Sequence, residues 1–458
     1  MNTPMSLREQ IVDVFNAHPA TSREAQALGK DGPSFDRLKS EIHREILSEM
    51  DLRTMDGLPR EKIKEELKAL TENLISLKKL ALNQTEMRQL VEGIQNEILG
   101  LGPIEPLLSD ATVSDILVNG PRQVYVERFG QIESSDIVFD DSLHLMRVIE
   151  RIVSRVGRRI DEMSPMVDAR LPDGSRVNAV IPPLAIDGPQ LSIRRFSVAP
   201  YTMFDLLRFQ SLTQAMGELI GGLVRSKVNL LVSGGTGSGK TTLLNVISAN
   251  IPHSERIVTI EDAAELQLQQ RHVVRMEARP ANIEGKGEVT PRALLRNSLR
   301  MRPDRIIMGE VRGAEVLDML QAMNTGHEGS MTTIHANSPR DAMTRLEHML
   351  SMAGLNTDVK TMRQQIAAAL SIIIQISRLS DGRRKITSIQ EITGIEGDVI
   401  SMQEIFKFEQ TGVTAEGAVA GHFVVTGLRP KILERLKSRG VEFDRDFFTP
   451  YALGDQRP

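Results

Sequence analysis

The run Gly234, Gly235, Thr236, Gly237, Ser238, Gly239, Lys240, Thr241, Thr242 directly follows the apolar stretch 229–233 and fits the pattern G-x-x-x-x-G-K-[ST]. Glycines let successive backbone N–H groups converge on phosphate oxygens, and a helix opening behind them adds the partial positive charge of its N-terminus. Lys240 is expected to reach the β- and γ-phosphates of a nucleotide, and the Thr241 hydroxyl to ligate Mg²⁺. The bland alternative is an ordinary glycine-rich strand-to-helix turn. Strand, loop and helix all agree with the motif against it.

Such a loop binds; cutting a phosphoryl bond also needs a carboxylate that positions water and charge that stabilises the transferred group. Arg305, Ile306, Ile307, Met308, Gly309, Glu310 reads as an apolar strand ending in an acid, placed where a Walker B strand would lie beside the P-loop strand. Gly309 takes the usual Asp position, so Glu310 is the candidate for water activation rather than a surface carboxylate closing a strand. A second apolar run, Ile257 to Ile260, ends in Glu261 and Asp262. Because Gly309 offers Mg²⁺ no side chain, Glu261 or Asp262 is expected to organise its waters; the alternative is helix capping.

His327 and His335 flank a short β-prone run. An imidazole at His335 could sense the γ-phosphate, although either histidine taken alone is more often a satisfied structural residue. Their spacing matches no common metal-ligand pattern. Arg292, Arg296 and Arg300 recur on one helical face ahead of Arg302 and Arg305, and Arg170, Arg176, Arg194 and Arg195 surround Leu171, Pro172, Asp173, Gly174. Guanidinium forks match phosphate geometry and can serve as arginine fingers; a solvated, ion-paired face is the alternative for each.

The 56 Lys plus Arg against 60 Asp plus Glu leave a net charge of −4, so no global positive field draws the chain to nucleic acid. Aromatic residues make up 3% with no Trp, which leaves few stacking platforms for single strands. No stable nucleic-acid partner is expected. With no cysteine, thiolate zinc sites, disulfides and cysteine nucleophiles are excluded.

Around these residues the chain organises into segments. Residues 1–35 lack periodicity and an apolar signal core, and read as a mobile leader of an unexported protein. Leu38, Ile42 and Ile46, then Ile63, Leu67, Leu70, Leu74 and Leu77, predict amphipathic helices forming a small bundle over 36–85. Over 86–205, a helix from Met87 to Leu99 leads into strands at 115–118, 124–127, 137–139, 168–180 and 191–196 around a helix at 143–156, an α+β domain. From 206 to 458 apolar strands alternate with helical stripes, as in a parallel α/β sheet. The longest greasy run, Ile366 to Ile376, is too short to span a bilayer.

In their order, GGTGSGKTT, TIEDAAEL, RIIMGEVRG and GHEGSMTTIHANSP resemble the secretion ATPase superfamily of type II and type IV secretion and type IV pilus motors. Within it, GLGPIEPLL, DARLPDGSRVNAVIPP and LRNSLRMRPDRIIMGEVRG resemble the tight-adherence (Tad/Flp) pilus assembly ATPase family (CpaF/TadA), from about Met87 to the C-terminus. The resemblance implies a homohexameric ring whose subunits bind ATP and Mg²⁺ between an N-terminal domain and a RecA-like P-loop domain. It places Lys240, Thr241, Glu261, Glu310, His327 and His335 in the nucleotide boxes, and makes Arg176, Arg194 and Arg195 candidate charge-stabilising arginines. It further implies a cytoplasmic motor peripherally attached to inner-membrane platform proteins, acting on pilin subunits indirectly.

Overall fold

The computed structural model describes residues 32–49, 59–128, 130–195, 200–279, 281, 286–354, 358–415 and 417–450; the expected leader lies outside them as far as residue 31. The chain divides into two compact units, Met1–Arg195 and Phe196–Pro458.

In the first unit, α1 (Gly32–Glu49), α2 (Arg60–Leu77) and α3 (Gln84–Leu99) share one core made by Leu38, Ile42, Ile46, Leu67, Leu74, Leu90 and Ile94. The expected stripes are there, except that Leu77 at the last turn of α2 is exposed. A capping box starts α3: Asn83 Oδ1 accepts from the Thr85 and Glu86 amides, and the Glu86 carboxylate accepts from the Asn83 amide. After the bundle come β1 (Val113–Asn119), β2 (Val124–Arg128), β3 (Gln131–Ser134), α4 (Ser142–Arg155), β4 (Met166–Arg170), β5 (Arg176–Val180) and β6 (Gln190–Arg194). The strands form an antiparallel sheet in the order β3-β2-β1-β6-β5-β4. One face carries α4, whose Leu145, Val148, Ile149, Ile152 and Val153 join Ile116, Val118, Val126, Val177 and Ile193 in a single core.

The strand expected at 137–139 is not one. Phe139 buries its ring in that core while its amide donates to the Pro121 carbonyl at 2.7 Å. The strand is β3 instead, exposed at all four residues, so it carries no alternating apolar signal.

Glu97, at the end of α3, ties the helices to the sheet layer. Its carboxylate accepts from Lys39 Nζ of α1 at 3.1 Å and meets His144 Nε2 of α4 at 2.9 Å. Burial pushes the Glu97 pKa up, but the His144 hydrogen bond and charge, with Lys39, more than offset it and hold it at about 2. The folded pKa lies below the ordinary 4.5, so this tie is fully present above pH 4.5 and fades as pH falls towards 2. It contributes about 3 kcal/mol. Glu97→Gln should let α1–α3 exchange amide hydrogens faster at pH 7, with variant and wild type converging below pH 3. Equal protection at pH 7 would show the tie to be energetically idle.

In the second unit the order is α5 (Gln214–Arg225), β7 (Leu230–Gly234), α6 (Lys240–Ser248), β8 (Ile257–Glu261), β9 (Val273–Glu277), α7 (Pro291–Ser298), β10 (Arg305–Val311), α8 (Glu315–Asn324), β11 (Met331–His335), α9 (Pro339–Met352) and α10 (Val359–Ala369). Then come β12 (Ile372–Arg378), β13 (Arg384–Glu396), β14 (Val399–Val413) and β15 (Val419–Val425), followed by a short helix, Leu433–Ser438. The sheet runs β15-β14-β13-β12-β7-β11-β10-β8-β9, parallel from β12 to β9 and antiparallel beyond β12. Helices cover both faces of the parallel part. Leu230 and Val232 of β7 enter one layer with Leu219 of α5 and Leu243 of α6, while Leu231 enters the other with Met319 of α8 and Leu346 of α9. That is why β7 reads as an unbroken apolar run.

The greasy run 366–376 divides between the end of α10 and β12. Among the described residues no helix is long and apolar enough to cross a membrane.

Candidate nucleotide site

Parallel strands bring their C-terminal ends to one edge of a sheet, and open α/β sheets bind ligands there. Gly234, Glu261, Glu310 and His335 occupy those ends on β7, β8, β10 and β11. One expectation needs correction. The acid strand β10 does not lie beside the P-loop strand, because β11 pairs with both and stands between them. The insertion sets His335 directly opposite Gly234, with the Ala336 amide donating to the Gly234 carbonyl at 3.3 Å.

The turn from β7 to α6 has the shape a phosphate loop requires. Gly237 and Gly239 sit at φ +67° and +96°, which L side chains rarely adopt, and a Cβ at Gly234 would overlap the Ile376 carbonyl and Ser238 Oγ. Ser238 Oγ and Lys240 Nζ donate to the Gly235 carbonyl at 2.9 and 3.0 Å, bracing the turn internally. Burial lowers the Lys240 pKa; Glu310 opposes this, and Arg312 and Arg345 add to it. A cation so placed gains from an anion.

Glu261 fills the space that Gly309 leaves. A Cβ on Gly309 would stand 2.9 Å from Glu261 Cγ, so the glycine makes room for the neighbouring acid. Glu261 Oε2 accepts from the Glu265 and Leu266 amides at 2.7 and 3.0 Å, whereas its buried Oε1 has no hydrogen-bond partner. Burial raises its pKa to about 7. An unpartnered carboxylate oxygen suits a hydrated cation, and Thr241 and Asp262 complete the donor set expected for Mg²⁺. Among the described residues no three His, Cys, Asp or Glu form a ready metal cage, so the ion would rely on the phosphates as well.

Glu310 is held by a residue the sequence reading did not single out. Arg312 reaches Glu310 Oε2 through Nη2 at 2.7 Å and Nε at 3.1 Å, and Asp262 through Nη1 at 3.2 Å. The signal was present: Arg312 follows Glu310 by two residues, just past the end of β10.

The remaining candidates separate. His327 precedes β11 at its far end, two residues before Gly329, whose amide donates to the Asn229 that precedes β7, and its buried Nδ1 is unpartnered. At about 3.3 Å per strand residue, the structure leaves it well over 10 Å from the phosphate turn. Arg292 and Arg296 pair with Asp318 at 2.6 and 2.8 Å, and fully buried Arg305 grips Glu255 at 2.6 Å and the Val224 carbonyl at 2.8 Å. These three brace the sheet and its helices. In the first unit, Arg194 opposes Arg176, which opposes Arg170, on three adjacent strands, with Asp115 next to Arg194 on β1. Arg194 Nε donates to Asp115 at 3.0 Å, and Arg195 donates to the Asp110 and Val113 carbonyls.

A family model described as Type II/IV secretion system protein matches residues 97–431. A Mycobacterium tuberculosis protein named for conjugal transfer is 40% identical over 324 residues, 69% of this chain and 92% of its own. The type IV secretion system protein VirB11 of Bartonella quintana is 31% identical over 347 residues, 66% of this chain and 96% of its own. Among solved structures, the VirB11 ATPase of the Brucella suis type IV secretion system, in complex with sulphate, is 27% identical across 63% of this chain and 95% of its own, with a TM-score of 0.35.

Proposed function

The chain belongs to the Type II/IV secretion system protein family, and from that premise we propose that it is an ATP hydrolase converting phosphate cleavage into domain motion at a membrane platform. The observation that carries this reading is the positive-φ glycine turn with Lys240 on the same sheet edge as Glu310. Backbone N–H groups of 235–242 and Lys240 hold the β- and γ-phosphates. Thr241, with Glu261 and Asp262 through water, would hold a magnesium ion that offsets phosphate charge. Glu310, once Arg312 swings off it, orients the attacking water, and His335 reports whether the γ-phosphate is present.

The row Arg170–Arg176–Arg194 supports a charge-supplying role for the first unit. Guanidinium forks match the geometry of phosphate oxygens. We assign Arg176 and Arg194 to this task, with Arg195 steadying the loop before β1. His327 acts away from the phosphate turn.

The working form is a homohexamer, cytoplasmic and peripheral to the inner membrane, in which ATP binding and hydrolysis drive the motion of its subunits. The residue runs GLGPIEPLL, DARLPDGSRVNAVIPP and LRNSLRMRPDRIIMGEVRG support a Tad/Flp pilus assembly motor acting on pilin through platform proteins. The names of the relatives favour a second reading, a type IV secretion traffic ATPase. Copurification with pilus platform proteins or with secretion-channel proteins separates the two. The shared premise is tested by titrating a fluorescent magnesium nucleotide: wild type should bind, and Lys240→Ala should lose at least ten-fold in affinity. Equal affinity in both would remove the reading.

A further inference from the structure

The corner that follows β11 is held by a strand outside the nucleotide motifs. Only Ala336 and Asn337 separate His335, the last residue of β11, from Ser338, which caps α9 by accepting from the Asp341 amide at 3.1 Å. The corner lies against the phosphate turn. The Ala336 amide donates to the Gly234 carbonyl, and Asn337 Oδ1 stands 3.7 Å from where a Cβ on Gly235 would lie. On the other side, Gln375 Nε2 of β12 donates to the Ala336 carbonyl at 3.2 Å. Ala336 is therefore bonded through its amide to β7 and through its carbonyl to β12.

Gln375 is buried, yet only one end of its amide is used. Its Oε1 has no hydrogen-bond partner, and neither has the Oγ of Ser233, which is also buried. The two residues are register partners on the parallel strands β12 and β7, so their side chains leave the same face of the sheet. Ser388, opposite Gln375 on β13, does not serve it, because its hydroxyl donates to Glu404 Oε1 at 2.5 Å. Buried polar atoms are nearly always paired, and each exception calls for a reason. Here the two exceptions are an amide oxygen that can only accept and a hydroxyl that can donate to it, on paired residues just before the phosphate turn.

We propose that Gln375 is a positioning residue for phosphate cleavage: it holds Ala336, and through it His335 and Asn337, against the phosphate turn, and exchanges the Ala336 carbonyl for the Ser233 hydroxyl when a terminal phosphate draws the corner. The proposal rests on the ATP-hydrolase reading above and gives β12 a part in that site.

The test uses the full chain with magnesium. Gln375→Met keeps the size and removes both ends of the amide. It should leave the affinity for fluorescent ADP within about three-fold of wild type while kcat falls at least about ten-fold, because cleavage needs the corner in place and ground-state binding does not. Its melting temperature without nucleotide should stay close to wild type, since the lost donor is matched by a lost unpartnered oxygen. Ser233→Ala should also lower kcat, and the double variant should lose no more than Gln375→Met alone. Hydrogen exchange gives a readout apart from turnover: a non-hydrolysable triphosphate analogue should change exchange at Ala336 relative to ADP in wild type, and not in Gln375→Met. Wild-type kcat in Gln375→Met overturns the proposal, as does an unchanged analogue response at Ala336. Affinity and kcat falling together with a lower melting temperature would make the residue structural and also overturn it. Additive losses in the double variant overturn the exchange with Ser233. Failure of wild type itself to bind nucleotide removes the ATP-hydrolase reading, which the other outcomes leave standing.

Discussion

Glu310→Gln should leave magnesium nucleotide bound with near wild-type affinity and cut phosphate release by about 10²- to 10⁴-fold, the usual scale for removing a positioned general base. Glu310 follows a run of buried strand residues, Ile306, Ile307 and Met308, so its backbone is fixed while the side chain stays partly exposed at the sheet edge. Glutamine keeps the size and can still accept from Arg312, so the fold should stand. It cannot draw a proton from water. Binding and turnover should therefore part company in steady-state phosphate release set beside a direct nucleotide titration. Unchanged turnover would make the protein a nucleotide-gated scaffold and remove Glu310 from the chemistry.

Glu261→Gln should do two opposed things. Losing the carboxylate proposed to hold the magnesium waters should lower hydrolysis by at least ten-fold, and it should also make the nucleotide-free protein more stable at alkaline pH. Burial lifts the Glu261 pKa from 4.5 to about 7. Below 4.5 the group is neutral folded and unfolded and costs nothing. Between 4.5 and 7 the unfolded chain ionises first, so stability falls, and above 7 the full penalty of about 3 kcal/mol persists. Melting curves in chelator at pH 8 should place the variant several degrees above wild type, with the gap closing below pH 4.5. Equal melting temperatures at pH 8 would mean that the carboxylate carries no buried strain. The pairing of lower activity with higher stability is the mark of a functional group kept at a cost.

Much of the site was legible because its parts are contiguous. The phosphate loop follows its strand and opens its helix within a dozen residues, and the helical stripe of α4 at 145–153 announces its own buried face. β3 was missed because all its residues are exposed, and 137–139 was mistaken for a strand because a buried Phe139 looks the same in either conformation.

The sequence alone determined which residue types stand where chemistry is expected: Lys240 and Thr241 behind glycines, and the acids Glu261 and Glu310 at the ends of apolar runs. Those signals survive because hydrogen-bonding and period rules act between near neighbours. Tertiary structure decided which of them meet. It slid β11 between β7 and β10, set His335 rather than His327 at the phosphate turn, filled the Gly309 gap with Glu261, and spent Arg292, Arg296 and Arg305 on Asp318 and Glu255. Strand order and ion-pair choice follow from packing segments tens of residues apart, and no local spacing records which distant strand or carboxylate a residue will face.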